Sequence, residues 1–82
     1  MKLYELIENV SIQGNIEVKQ LLVNGDTKWA LYFDQSDGLR SSDFCDEDLE
    51  LEVQYIYSEK FDKYYPRSVV PCSRTIIEVG DE

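Results

Sequence analysis

The sequence predicts an α+β fold, in which a short N-terminal helix packs on a four-stranded, mainly antiparallel sheet. Three observations support this prediction. Apolar residues recur at helical spacing over the first ten positions, they alternate with polar residues in several later runs, and Asn24-Gly25 separates two of those runs. With 82 residues, 43% of them hydrophobic, the chain is long enough for one compact domain over residues 1–82 and too short for two.

The first two elements are a helix and a hairpin. The helix is predicted over residues 1–10 from four apolar residues at helical spacing, namely Leu3, Leu6, Ile7 and Val10. Between residues 12 and 33 the apolar period changes to two, which indicates two strands. Asn24-Gly25 is typical of a tight two-residue turn between them, because both residue types tolerate positive φ.

The second half of the chain predicts two further strands. Alternation over residues 49–57 indicates the third strand, and alternation over residues 74–79 indicates the fourth. Between them, Pro66 and Pro71 disfavour helix, so we expect residues 60–73 to form a hairpin arm or an ordered loop. Before the third strand, Ser41-Ser42-Asp43 can start a short helical turn, because their side-chain oxygens can accept free backbone N–H groups.

A single helix leaves one face of such a sheet uncovered. The alternation places several apolar side chains on that face: Leu21, Val23, Ile56 and Ile76. An exposed apolar patch of this kind marks an interaction surface. We therefore expect either residues 69–70 to fold back over it or a second chain to cover it in a two-fold homodimer.

The charge balance restricts the class of partner. The chain has 17 acidic and 8 basic residues, no histidine and a net charge of −9. Such a field repels nucleic acid and anionic membranes and attracts basic surfaces, so a basic protein is the expected partner. Residues 1–10 lack the apolar core of a signal peptide, which predicts a cytoplasmic protein. Cys45 and Cys72 fit no zinc-ligand spacing and are expected to be reduced thiols.

Acidic residues are concentrated in the stretch from Asp34 to Glu52, where Arg40 is the single basic residue. If residues 48–52 were an extended strand, their acidic side chains would project from one face about 6.6–6.8 Å apart, comparable with successive phosphates of a nucleic-acid strand. Lysine and arginine sites that bind DNA could then bind this row instead. The candidate partner-binding residues are Asp34, Asp37, Asp43, Asp46, Glu47, Asp48, Glu50 and Glu52.

The acidic stretch has two other interpretations. A solvated acidic face that only keeps a small protein soluble is the simpler one. A calcium loop is disfavoured, because counting from Asp43 places Cys45 and Asp48 where an EF-hand needs a ligand and a glycine.

The segment from 60 to 76 is locally basic and contains aromatic residues: Lys60, Phe61, Lys63, Tyr64, Tyr65, Arg67 and Arg74. Such a segment can stack on single-stranded nucleic acid, pack on the sheet, or pair with the acidic stretch of a second copy. For catalysis, the sequence offers no histidine, no GxSxG motif and no phosphate-binding glycine loop. We therefore predict no enzyme activity, no cofactor and no metal site.

Three short motifs carry a resemblance: Met1 to Ile7, Ile12 to Asn15, and Val53 to Glu59. They resemble small acidic open reading frames of phages and mobile elements of Firmicutes. The resemblance implies a phage-type protein acting in a bacterial host cell, in a class that includes anti-CRISPR inhibitors and other host-takeover factors. Some proteins of that class occupy the DNA-binding surface of a nuclease with acidic side chains.

The resulting functional prediction is a binding protein that inhibits a basic nucleic-acid-handling protein, such as a CRISPR nuclease, by acidic mimicry of DNA. The alternative is a structural or assembly subunit, a homodimer whose acidity serves solubility only.

Overall fold

The computed structural model describes residues 1–80. Their elements follow in chain order: α1 (Leu3–Asn9), β1 (Gly14–Leu21), β2 (Thr27–Ser36), a 3₁₀ turn (Ser41–Asp43), α2 (Asp46–Leu49), β3 (Glu52–Tyr65) and β4 (Ser68–Gly80). The predicted N-terminal helix and the helical turn at Ser41 are both present. Helix α2 was not predicted, because four residues are too few for an apolar period to show.

The four strands form one mixed sheet in the order β2-β1-β4-β3. The β1–β2 and β3–β4 pairs are antiparallel, and the two central strands β1 and β4 run parallel. The fold is therefore α+β, with one short N-terminal helix on a four-stranded sheet, as the sequence predicts. Because β1 and β4 are far apart in sequence, the chain between them has room for the long connection that a parallel pair requires.

The core lies between one face of the sheet and α1. Its buried residues are Leu3, Leu6, Ile16, Val18, Phe44, Ile77 and Val79. Burying each such side chain contributes about 1.5–3 kcal/mol relative to its exposed state. Two backbone hydrogen bonds attach the N-terminal end of α1 to the start of β3: Leu3 N–H donates to Leu51 O at 2.9 Å, and Val53 N–H donates to Met1 O at 2.8 Å.

The turn between β1 and β2 is one residue longer than predicted. Gly25 N–H donates to Leu22 O at 2.9 Å, and Leu22 N–H donates to Asp26 O at 2.8 Å, so three residues lie between the closing pair. Gly25 has a φ of 92°, while Asn24 does not have positive φ. This is a turn followed by a left-handed glycine, the usual geometry of a three-residue hairpin loop. The prediction of a two-residue turn was wrong.

The third strand begins later and ends later than predicted, and its facing changes along its length. Leu49 belongs to α2, and a register shift falls between Val53 and Tyr55. Val53 lies opposite Val79 and Ile56 lies opposite Ile77, so both point to the covered face although they are three residues apart. A β-bulge has this effect, because one extra residue reverses the alternation.

Residues 58–73 form a two-stranded arm that extends beyond the rest of the sheet, so the hairpin interpretation of this segment is confirmed. Strand β1 pairs with β4 only from Thr75 onward. Pro71 therefore lies where β4 has a single neighbour, and its missing N–H removes no second ladder bond.

Candidate partner-binding surfaces

The face of the sheet opposite α1 carries charged and aromatic side chains. We call it the open sheet face; its central members are Glu17, Lys19, Tyr32, Tyr55, Tyr57, Glu59, Phe61, Arg74, Ile76 and Glu78. The tyrosines at positions 32, 55 and 57 are 61%, 63% and 41% exposed. No second layer covers these rings within residues 1–80.

The prediction of an apolar patch on this face was wrong for most of the residues assigned to it. Ile76 does lie there, but its neighbours bury it almost completely. Val23 lies in the hairpin loop, Ile56 points to the covered face because of the bulge, and Leu21 is half-buried at the end of β1. The face is therefore made of cross-strand polar and aromatic pairs.

Arg74 is held at the centre of the open sheet face. Its guanidinium carbon lies 4.5 Å from the ring centroid of Phe61 and 5.3 Å from that of Tyr32, within the range of cation–π attraction. One guanidinium nitrogen is 3.7 Å from a carboxylate oxygen of Glu17, a residue that is only 7% exposed. Arg74 thus connects β2, β3 and β1 from its position on β4.

Lys19 continues this row of charges. Its ammonium lies 3.7 Å from Glu17 and 3.7 Å from Glu78, and Tyr57 donates a 2.7 Å hydrogen bond to Glu78. Burial alone would lower the pKa of Lys19, but Tyr57, Glu17 and Glu78 outweigh it, so this pKa is raised above 10.5. The hydrogen bond to Glu78, with burial and the carboxylate charge, raises the pKa of Tyr57.

The acidic stretch folds differently from the extended row that was predicted. Asp48 is in helix α2, and Glu50 follows the helix with a helical backbone, so only Glu52 is in a strand. The phosphate-like spacing along a strand is therefore wrong. Five carboxylates instead cluster on and around α2, and we call them the acidic helical surface: Asp43, Asp46, Glu47, Asp48 and Glu50.

The carboxylates of the acidic helical surface have no ion pair within residues 1–80, and neither do Asp34 on β2 and Asp37 in the following loop. Four of these residues have local structural roles. Asp43 accepts the Arg40 N–H at 3.0 Å, and the first turn of α2, where negative charge favours the helix, contains Asp46, Glu47 and Asp48. Glu50 follows α2, where the helix dipole does not favour a carboxylate.

Glu52 differs from the other seven candidates because it is ion-paired. It accepts a 2.9 Å hydrogen bond from the N-terminal ammonium of Met1, and Lys2 Nζ lies 3.3 Å away. The hydrogen bond from the terminal ammonium, helped by Lys2, holds the pKa of Glu52 below its ordinary value of 4.5. Glu52 therefore stabilises the junction between α1 and β3.

Two depressions border the acidic helical surface. A groove of about 420 Å³ between α1 and α2 is lined by Tyr4, Glu8, Ser41, Asp46, Leu49 and Glu50. Its lining combines the half-buried Tyr4 and Leu49 with the exposed residues Glu8, Asp46 and Glu50. A smaller depression of about 190 Å³ places Asp37 near Asp43, beside Arg40. The sequence analysis did not single out Glu8. It lies near Asp46 and Glu50 because α2 packs beside α1.

The locally basic segment divides between two regions. Arg74 is bound into the open sheet face, whereas Lys60, Lys63 and Arg67 lie on the arm with Tyr64, which is 76% exposed. The strand register that places Arg74 between two rings could not be inferred from charge counts.

A small α+β domain with a mixed sheet, one open face and a separate acidic surface is the class of protein that these features define. No protein-family model, curated protein sequence or solved structure matches the chain. Across the part of the chain that the structure describes, no helix is long and apolar enough to cross a membrane. Nor do residues 1–80 contain a cluster of three or more histidine, cysteine, aspartate or glutamate side chains suited to a metal ion.

Proposed function

We propose that this protein is a non-enzymatic inhibitor that binds a basic, nucleic-acid-handling protein through its acidic helical surface. In this proposal it acts in the cytoplasm of a bacterial host cell, and a CRISPR nuclease is the partner we test first. The carboxylates occupy the partner's lysine and arginine side chains, which then cannot contact phosphates.

The observation that carries the proposal is the uneven pairing of the acidic residues. The stretch from 34 to 52 holds eight acidic residues and one basic residue, so it accounts for −7 of the net charge of −9. Of those eight carboxylates, only that of Glu52 has an ion pair within the described part of the chain. Carboxylates without an internal cation remain available to cations of a partner.

The groove between α1 and α2 adds a chemical preference. Long basic side chains have an apolar stem and a charged head, and the lining of this groove offers both apolar side chains and carboxylates. Tyr4 and Leu49 can contact the stem, while Glu8, Asp46 and Glu50 lie near the head. A partner that inserts a lysine or arginine here is therefore favoured over one that offers only a diffuse positive field.

The direct test is binding to a purified, guide-loaded CRISPR nuclease, with DNA cleavage as a second readout. The variant Glu47→Lys/Glu50→Lys reverses two exposed, unpaired carboxylates of the acidic helical surface. We expect its affinity to fall by about tenfold or more, because each reversal replaces attraction by repulsion. Wild-type affinity should also fall steeply as salt rises.

The matched control is Asp26→Lys/Asp62→Lys, which makes the same change in net charge at two exposed positions outside the acidic helical surface. It should retain most of the affinity. Equal losses in both double variants would show that only net charge matters and would remove the acidic helical surface as the site. If neither this nuclease nor other basic nucleic-acid-binding proteins bind at low salt, the proposal fails altogether.

A further inference from the structure

The open sheet face has properties that the proposed inhibitory function does not use. It lies on the opposite side of the sheet from α1, which packs against the core and against α2. Binding through the acidic helical surface therefore leaves this face exposed. Three tyrosines with 41–63% exposure on one continuous face form an amphipathic surface of the kind enriched at protein interfaces.

The central charges of this face nearly balance. Glu17 and Glu78 each lie 3.7 Å from a cationic nitrogen of Lys19 or Arg74, and Glu59, opposite Arg74, adds one exposed carboxylate. On a chain of net charge −9, such a face meets a second, equally charged copy with less like-charge repulsion than the acidic helical surface would. Nucleic acid gains no net attraction there, and a strongly basic protein gains little.

The order of the charges also suits a second copy. The row reads Arg74, Glu17, Lys19, Glu78, so positive and negative groups alternate across β4 and β1. In a two-fold interface the same patch meets itself, and a patch of one sign would be repelled. An alternating row can place each cation of one copy against a carboxylate of the other.

The size of the face is close to what a stable dimer needs. The four strands contain 8, 10, 14 and 13 residues. With strands about 4.8 Å apart, the flat area of one face of the sheet and its arm is roughly 700 Å² per copy, and projecting side chains add to it. A standard protein interface buries about 800 Å² on each partner.

We propose that two copies of this chain associate face to face through their open sheet faces, about a two-fold axis. The exposed rings of Tyr32, Tyr55 and Tyr57 are buried at the contact, around the alternating row of charges. Both acidic helical surfaces then point away from the interface. The dimer presents two binding surfaces to a partner with two basic sites, which raises the effective affinity without new contacts.

Sedimentation velocity over a range of concentrations tests the proposal. We expect the wild-type protein to sediment as a dimer at micromolar concentration. Tyr55→Lys places two like charges in the interface and should raise the dimer dissociation constant by about tenfold or more. The matched control is Tyr64→Lys, because this tyrosine is more exposed, lies on the arm and points to the other face, so its dissociation constant should be unchanged.

A monomer at all concentrations up to the millimolar range would overturn the proposal, and so would equal weakening by the two lysine variants. Circular dichroism establishes that Tyr55→Lys is folded. Chemical-shift changes on dilution of the wild-type protein provide a second readout, and they should centre on residues 17, 19, 32, 55 and 57. Glu47→Lys/Glu50→Lys should dimerise normally, so failure of the inhibitory function and failure of the dimer are distinguishable.

Discussion

The open sheet face and the acidic helical surface differ in whether their charged side chains form ion pairs. On the sheet, strand register brings Glu17 and Glu78 within 3.7 Å of a cation, and two aromatic rings fix Arg74 in place. Around α2, five carboxylates have no cationic partner within residues 1–80. Internal pairing contributes to the stability of the fold, whereas unpaired charge is costly to it and useful for binding. The two regions should therefore respond differently to mutation, pH and salt.

The largest expected effect is on stability, from the open sheet face. Arg74→Ala removes both ring contacts and leaves Glu17, which is 7% exposed, without its arginine. The free energy of unfolding should fall by about 1–3 kcal/mol, because a largely buried carboxylate loses part of its compensation. Urea denaturation measures this. Arg67→Ala, the same change at the turn of the arm, should cost less than about 0.5 kcal/mol; similar losses from both would show that Arg74 has no special structural role.

A smaller effect is expected from the hydrogen bond between Tyr57 and Glu78. Tyr57→Phe removes a bond to a charged acceptor at a partly exposed position, which should cost about 0.5–1 kcal/mol near neutral pH. The pKa of Tyr57 is raised in the folded state, so this stabilisation is complete below pH 10 and is lost as pH rises through the raised pKa. The wild-type and variant unfolding curves should therefore converge at alkaline pH. A difference in stability that persists at alkaline pH would show that Tyr57→Phe acts through packing of the ring and not through the hydrogen bond. The control is Tyr64→Phe, because the Tyr64 hydroxyl makes no hydrogen bond within residues 1–80.

The acidic helical surface should show its unpaired charge in the response to salt. Screening reduces repulsion among its carboxylates over about 10 Å at 0.1 M salt, so the wild-type protein should become more stable as salt is added. In Glu47→Gln/Glu50→Gln this gain should be smaller, and stability at low salt should change by no more than about 0.5 kcal/mol. Thermal unfolding at several salt concentrations provides the measurement. If the two salt dependences coincide, the carboxylates of α2 do not repel one another measurably.

The sequence predicted the pattern of secondary structure better than it predicted the surfaces. The apolar periods of the N-terminal helix and of Thr75, Ile77 and Val79 report burial on one face directly, and these residues lie on the side of the core. The failures came from two local features, a one-residue register shift and a short helix. The bulge at Val53 moved Ile56 to the covered face, and α2 broke the extended row assumed for Asp48 and Glu50. Alternation in one strand contains no information about where such a shift occurs.

The open sheet face could not be predicted for a related reason. The contact of Arg74 with Tyr32 depends on the parallel pairing of β1 with β4, which joins strands separated by most of the chain. Its contact with Phe61 depends on the register of the β3–β4 hairpin. A charge count does register the acidic residues between 34 and 52. It does not show which of them are paired, and Glu52 proved to be the exception.

That exception gives the smallest and most local prediction. The terminal ammonium and Lys2 lower the pKa of Glu52, so its contribution to stability is present above pH 4.5 and is lost as pH falls through the lowered pKa. NMR titration of the Glu52 carboxylate should report a pKa below 4.5. Acetylation of the N-terminus removes the charge of the terminal ammonium and should move that pKa back toward 4.5, and Lys2→Ala should have a weaker effect in the same direction. A pKa that does not move on acetylation would contradict the ion pair and would return Glu52 to the group of carboxylates available to a partner.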